Sequence, residues 1–146
     1  TYVSTGFISS LEERSATYEL PSLLGIGGSY DFIFNESNKL TVEAALGDGA
    51  TVNWDVTANP VAKVTIAGNR TLALPLNPLG SGQYASLLVI QDGTGSRTLT
   101  WNAAYEFKDD TAPTLTTTAS KGDLFTFRYN GAKWLEVGRN QNLSLS

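Results

Sequence analysis

Gln91-Asp92-Gly93-Thr94-Gly95-Ser96-Arg97-Thr98-Leu99-Thr100-Trp101 decides how this chain is read, because a glycine-rich turn here separates two β-type runs. Gly93 and Gly95 can supply the left-handed backbone that a tight reversal needs. If the turn closes a hairpin, Gln91 faces Arg97, Val89 faces Leu99 and Leu87 faces Trp101. One face of the pair is then strongly apolar. Leu88, Ile90, Thr98 and Thr100 fall on the reverse face, which is half apolar and needs cover from another part of the chain or from a second subunit. These four residues are the candidate oligomer interface.

The same pattern recurs outward from this stretch. Helix-period stripes are missing, and short β-type runs alternate with Gly, Asn, Asp and Pro clusters, as in an all-β sandwich or barrel. Strands are expected near residues 3–9, 17–20, 29–34, 39–46, 51–56, 62–67, 71–76, 85–91, 97–101, 124–129 and 132–137. Ser10-Leu11-Glu12-Glu13 fits a capping box and amounts to one helical turn at most. Asn130-Gly131 has the composition of a two-residue type I′ turn, which sets Tyr129 opposite Ala132, Phe127 opposite Trp134 and Phe125 opposite Glu136. Phe125, Phe127, Tyr129 and Trp134 then share the core face, and Arg128 pairs with Lys133 in water. Leu72, Leu74 and Leu76 alternate inward, with Pro75 placing their strand at an edge or end. The expected architecture is an antiparallel β-sandwich of jelly-roll type.

Composition narrows the chemistry. A chain of 146 residues has room for one compact domain with a real core. It holds no cysteine and no histidine, which removes disulfides, thiolate metal sites, Ser-His and Cys-His nucleophiles and the usual general base near neutral pH. No metal or other cofactor is expected. Net charge is -4 with 10 Lys plus Arg placed singly, so there is no basic stripe to displace counterions from nucleic acid. Apolar runs such as Leu87-Leu88-Val89-Ile90 fall far short of the roughly 20 residues of a spanning helix, and no membrane insertion is expected. The chain opens at Thr1 without any methionine, as expected of a mature product or an excised domain.

From Ala50 to Gly138 the order of motifs resembles the C-terminal β-sandwich module of tailed-bacteriophage tail fibres, tail spikes and head-decoration proteins. The residues that carry the resemblance are Thr51 to Asp55, Lys63 to Leu72, Leu88 to Trp101, Thr111 to Leu115, Gly122-Asp123 and Tyr129 to Trp134. It implies a non-enzymatic virion component at the particle surface, assembled as a homotrimer with other virion proteins and contacting a bacterial surface polysaccharide. Residues 50–146 would form the fibre-like sandwich. Residues 1–49 lie outside the resemblance and would be an N-terminal β segment serving as collar, attachment element or extra sheet layer.

Candidate sites each have a plain alternative. Asp92 to Ser96 has the oxygen atoms of a calcium loop but only one carboxylate, so it reads as a turn. Asp31 and Asp123 read as strand-end caps. Glu106, Asp109 and Asp110 beside Tyr105 and Phe107 have the residue types of a glycosidase, yet a working acid needs an apolar pocket, and a solvated acidic turn fits better. Trp54, Trp101 and Trp134 lie on expected strands and read as core. Tyr84, Tyr105 and Phe107, at strand ends or in loops, are the candidate receptor surface together with Asp109 and Asp110. A secreted carbohydrate-binding module with exposed Trp101 or Tyr105 platforms is the second reading. Gly25-Ile26-Gly27-Gly28 lacks the lysine and helix of a phosphate loop and reads as a turn.

Overall fold

The computed structural model describes residues 16–19, 29–32 and 42–146. Residues 1–38 and 39–146 form separate compact units. In the first, strands β1 (Ala16–Glu19) and β2 (Ser29–Phe32) pair antiparallel, Ala16 facing Phe32 and Glu19 facing Ser29. The expected strand at 3–9, the turn at Ser10 and the glycine turn at Gly25 lie outside the described residues.

In the second unit the chain alternates between two sheets. Strands β3 (Ala44–Ala45), β5 (Val61–Ile66) and β7 (Tyr84–Gln91) stack parallel in one, while β4 (Thr51–Val52), β6 (Arg70–Leu72) and β8 (Leu99–Trp101) stack parallel in the other. Parallel neighbours need a long crossover, and here each crossover is a strand of the opposite sheet. Three solenoid-like coils result. The larger sheet is completed by β10 (Lys121–Tyr129), antiparallel to β7, then β11 (Trp134–Ser144), antiparallel to β10, and β9 (Tyr105–Glu106), parallel to β11.

The all-β expectation therefore holds, but the sheets are mixed and stacked in solenoid fashion rather than an antiparallel jelly roll. The physical reason lies in Asp92 to Ser96. Instead of folding β8 back on β7, this loop carries the chain across the core into the other sheet, and its edges are stitched to a different segment. Ser96 N donates to Thr117 O (2.7 Å) and Ser120 N donates to Asp92 O (3.1 Å). Gln91 does face Arg97, but through its side chain: Nε2 donates to Arg97 O and Arg97 N donates to Oε1, each at 2.9 Å. One buried carboxamide thus replaces a strand partner at the arch. Leu87, Val89, Leu99 and Trp101 still converge on one core, approaching it from opposing sheets.

Inside, Trp101 touches four rings edge-on or tilted: Tyr105 (5.5 Å), Phe107 (5.1 Å), Phe125 (4.9 Å) and Phe127 (5.9 Å) between ring centroids. These contacts join β8 to β9 and β10 and are the main lock between the sheets. Trp54 is fully buried, and its Nε1 donates to Asn59 O at 2.7 Å. Leu115 and Pro113 anchor the otherwise irregular segment after Thr111.

Two registers differ from expectation. The β10–β11 turn centres on Gly131-Ala132, not Asn130-Gly131, so Tyr129 faces Trp134, Arg128 faces Leu135 and Phe127 faces Glu136. Asn130 Oδ1 accepts from the amides of Ala132 (2.9 Å) and Lys133 (2.7 Å), and Gly131 takes the single positive φ, +97°. An Asx-type bond therefore outweighs the two-residue preference for Asn-Gly. From Tyr129 to Phe127 the slip is two residues, which keeps Phe127, Tyr129 and Trp134 on their expected face, but past a bulge at Thr126/Phe127 Phe125 faces Arg139 instead of Glu136. Further along, β6 stops at Leu72, so Leu74 and Leu76 are exposed while Pro75 is buried. Pro75, with no N–H to give a ladder, sits just past the strand end.

Candidate functional site

Three surfaces follow from this arrangement. On the small sheet, parallel in-register stacking aligns Thr51, Thr71 and Thr100 in one exposed column, while Val52, Leu72 and Trp101 form the inward column beside it. Successive strands lie about 4.8 Å apart, so the three hydroxyls form an evenly spaced track across the strands. Asn53, Asn69 and Thr98, all exposed, flank it without a charge. Only stacking makes this track, since the three threonines are 20 and 29 residues apart in sequence.

The outer face of the large sheet is different. Leu88 pairs with Lys63 on one side and Leu124 on the other, and Ile90 with Thr65 and Gly122. Leu88, Ile90 and Leu124 are half-buried, and Val137 is exposed. The candidate interface is thus divided: Leu88 and Ile90 lie on this sheet, whereas Thr100 lies on the other and Thr98 just before it. The face on which all four were to meet does not exist, because β7 and β8 do not pair.

The acidic turn is the third. A 3-10 turn at Lys108–Asp110 exposes Asp109 and Asp110, both with positive φ. Glu106, on β9, pairs with Lys133 Nζ at 3.0 Å, and the same ammonium donates to Ala103 O. Lys133 holds the Glu106 carboxyl below its usual range, helped by a hydrogen bond with Asp110. Asp110 is pushed up by that bond and by the neighbouring Glu106 charge. The two carboxyls lie close together at an open surface beside Lys133.

Tyr105 and Phe107 are buried, at 5% and 8% exposure, and do not form a receptor surface. Parallel pairing of β9 with Trp134 and Leu135 turns both inward and leaves Glu106 between them outside. The aromatic–acid–aromatic alternation at 105–107 was the available signal for that strand. Burial raises the Tyr105 phenol far above its ordinary value. Tyr84 is exposed (56%) at the start of β7, opposite Arg128.

Asp92 and Asp48 are each committed to an arginine, as Glu136 is to Arg139. Asp92 accepts from the amides of Thr94 and Gly95 and from Arg97 Nε and Nη2, the last at 2.8 Å. Asp48 takes Arg70 in the same two-pronged way, at 2.6 and 2.9 Å. Buried Asp123 is an interior staple rather than a strand-end cap: it accepts from the amides of Thr116 (2.6 Å) and Asn142 (2.9 Å) at a bulge between β10 and β11.

Against known families, the profile described as "Putative phage tail fibre C-terminal domain" matches residues 46–134, more than half of the chain. The chain belongs to this family. The matched part of the tail fibre module runs from Leu46, just after β3, to Trp134, the first residue of β11, and so contains strands β4 to β10 and the aromatic lock. As a tail fibre domain the protein is located on the virion, serves a structural or adhesive role there and associates with other virion proteins. Comparison with curated proteins finds no match.

Proposed function

We propose that this tail fibre module is a non-enzymatic adhesion domain that contacts a bacterial surface polysaccharide and acts as a homotrimer. The observation that carries the glycan reading is the exposed Thr51, Thr71 and Thr100 column. It presents uncharged donors and acceptors at a repeat close to the length of one sugar in an extended chain, on a hydrogen-bonded parallel sheet. Hydroxyls on a pre-ordered surface lose little entropy when they bind a polyol. Tyr84 and the acidic turn at Asp109 and Asp110 are further exposed polar groups that a charged or branched glycan would meet.

Support for non-enzymatic action comes from the residue types. Glu106 is paired with Lys133 and Asp110 is exposed, whereas a glycosidic acid and its partner flank a substrate in a shaped cleft. The platform alternative loses its residues, since Tyr105 is buried and Trp101 is packed against four rings. For the trimer, the half-apolar outer face around Leu88 and Ile90 is the supporting surface.

Binding of the chain to purified host-envelope polysaccharide tests the glycan reading. Replacing Thr51, Thr71 and Thr100 together by valine keeps shape and removes only hydroxyls. Affinity should fall at least about tenfold, equivalent to about 1.4 kcal/mol. Unchanged binding in a folded triple variant sinks the threonine site. Solution mass decides the trimer: a monomer at high concentration removes it, and Leu88→Asp should dissociate a real one.

A further inference from the structure

Three places in the described residues carry an acid or amide side chain directly before glycine: Asp48-Gly49, Asp92-Gly93 and Asn130-Gly131. Each is a potential site of backbone attack on the side-chain carbonyl, because glycine leaves the following amide sterically open. The fold treats them differently. Asp48 and Asp92 are ionised carboxylates clamped by Arg70 and Arg97, and a carboxylate is a poor electrophile. Asn130 carries a neutral carboxamide, lies exposed at the tip of the β10–β11 turn, and has no cation on it.

Its carbonyl is also polarised. Oδ1 accepts two backbone N–H groups, from Ala132 at 2.9 Å and Lys133 at 2.7 Å. Two donors converging on a carbonyl oxygen stabilise the negative charge that develops there when a nucleophile adds. Meanwhile the Gly131 N–H makes no hydrogen bond among the described residues, in contrast to Asn130 N, which donates to Lys133 O. The amide that must lose its proton is thus free, and the carbonyl that must accept charge is held.

We propose that Asn130 is a self-modification site, converting through a cyclic imide to aspartate and isoaspartate. Gly131 N loses its proton and bonds to Asn130 Cγ, the Cγ–Nδ2 bond breaks, and ammonia leaves. Water then opens the ring at either carbonyl. The α-linked product keeps the turn and adds a negative charge beside Lys133. The β-linked product inserts a methylene into the backbone where Tyr129 stacks on Trp134 at 4.9 Å. This converts a defined hairpin into one with a displaced tip.

The test is incubation of the intact, folded chain at mildly alkaline pH, followed by peptide mapping by mass spectrometry and enzymatic isoaspartate assay. Asn130 should convert at least about tenfold faster than Asn53, Asn69 and Asn102, a barrier lower by about 1.4 kcal/mol. Asp48 and Asp92 should yield no isoaspartate. Asn130→Gln should abolish the isoaspartate signal while the fold, followed by circular dichroism, persists. Equal rates at all asparagines overturn the proposal. So does a rate at Asn130 that is slower in the folded chain than in urea, which would mean that the turn shields the carboxamide instead of activating it.

Discussion

At the scale of single residues, the fold rests on side chains that take over backbone duties. Gln91 stands in for a strand, Asn130 closes a turn, and Asp123 holds the amides of two segments that do not pair with each other. Asp92 does the same for the amides of Thr94 and Gly95, and its bond to Arg97 lowers its pKa from 3.8 to about 2. A group whose folded pKa is depressed stabilises the fold above its unfolded value and loses that contribution as pH falls toward the folded one. In urea titrations, Asp92→Asn should therefore lower the midpoint at neutral pH, and the gap to the parent should close between about pH 4 and pH 2. A gap that stays constant over this window would show that the ion pair does not contribute through ionisation. The turn character of Asp92 to Ser96 was legible from its residues, and so was the core role of Trp54 and Trp134. Tyr105 and Phe107 were not, because their burial depends on a two-residue strand pairing with Trp134 and Leu135, about 30 positions away.

At the scale of elements, the arch between β7 and β8 is the decisive piece, and Gly95 is its tightest point. With φ at +74°, a Cβ there would lie 2.5 Å from Thr117 O and 2.8 Å from Ala119 N, both backbone atoms. Gly93 has open space instead. Gly95→Ala should cost more than about 1–2 kcal/mol, the left-handed penalty alone, before any clash is counted. Gly93→Ala should stay within about 0.5 kcal/mol. Thermal or denaturant midpoints of the two variants check the contrast, and equal effects would mean that the arch tolerates rearrangement. Strand positions were mostly legible from alternation, as at β5, β7 and β10. Partners were not: apolar alternation fixes which residues face inward, but a strand entering the core from the opposite sheet satisfies it as well as a hairpin partner does.

At the scale of the whole molecule, the three coils, the β10–β11 cover and the aromatic lock all lie within residues 39–146. A chain beginning at Lys39 should keep its β-sheet circular dichroism and unfold in one cooperative transition, with matching midpoints by fluorescence and circular dichroism. Loss of cooperativity would show that the core needs residues 1–38. In that chain, Phe127→Ala should cost about 3–5 kcal/mol, since it removes a ring that touches Trp101, Tyr105, Phe107 and Phe125. Composition and alternation by themselves determined the all-β class, most of the inward residues on β5, β7 and β10 and the missing catalytic types, and the order of motifs pointed to the phage fibre family. Those properties reside in local periodicity and residue chemistry, which a linear sequence carries. Only the tertiary structure decided the parallel stacking, the division of Leu88 and Ile90 from Thr98 and Thr100, and the alignment of Thr51, Thr71 and Thr100. Each of these depends on which distant strands become neighbours, and that choice is made by the packing of a shared core.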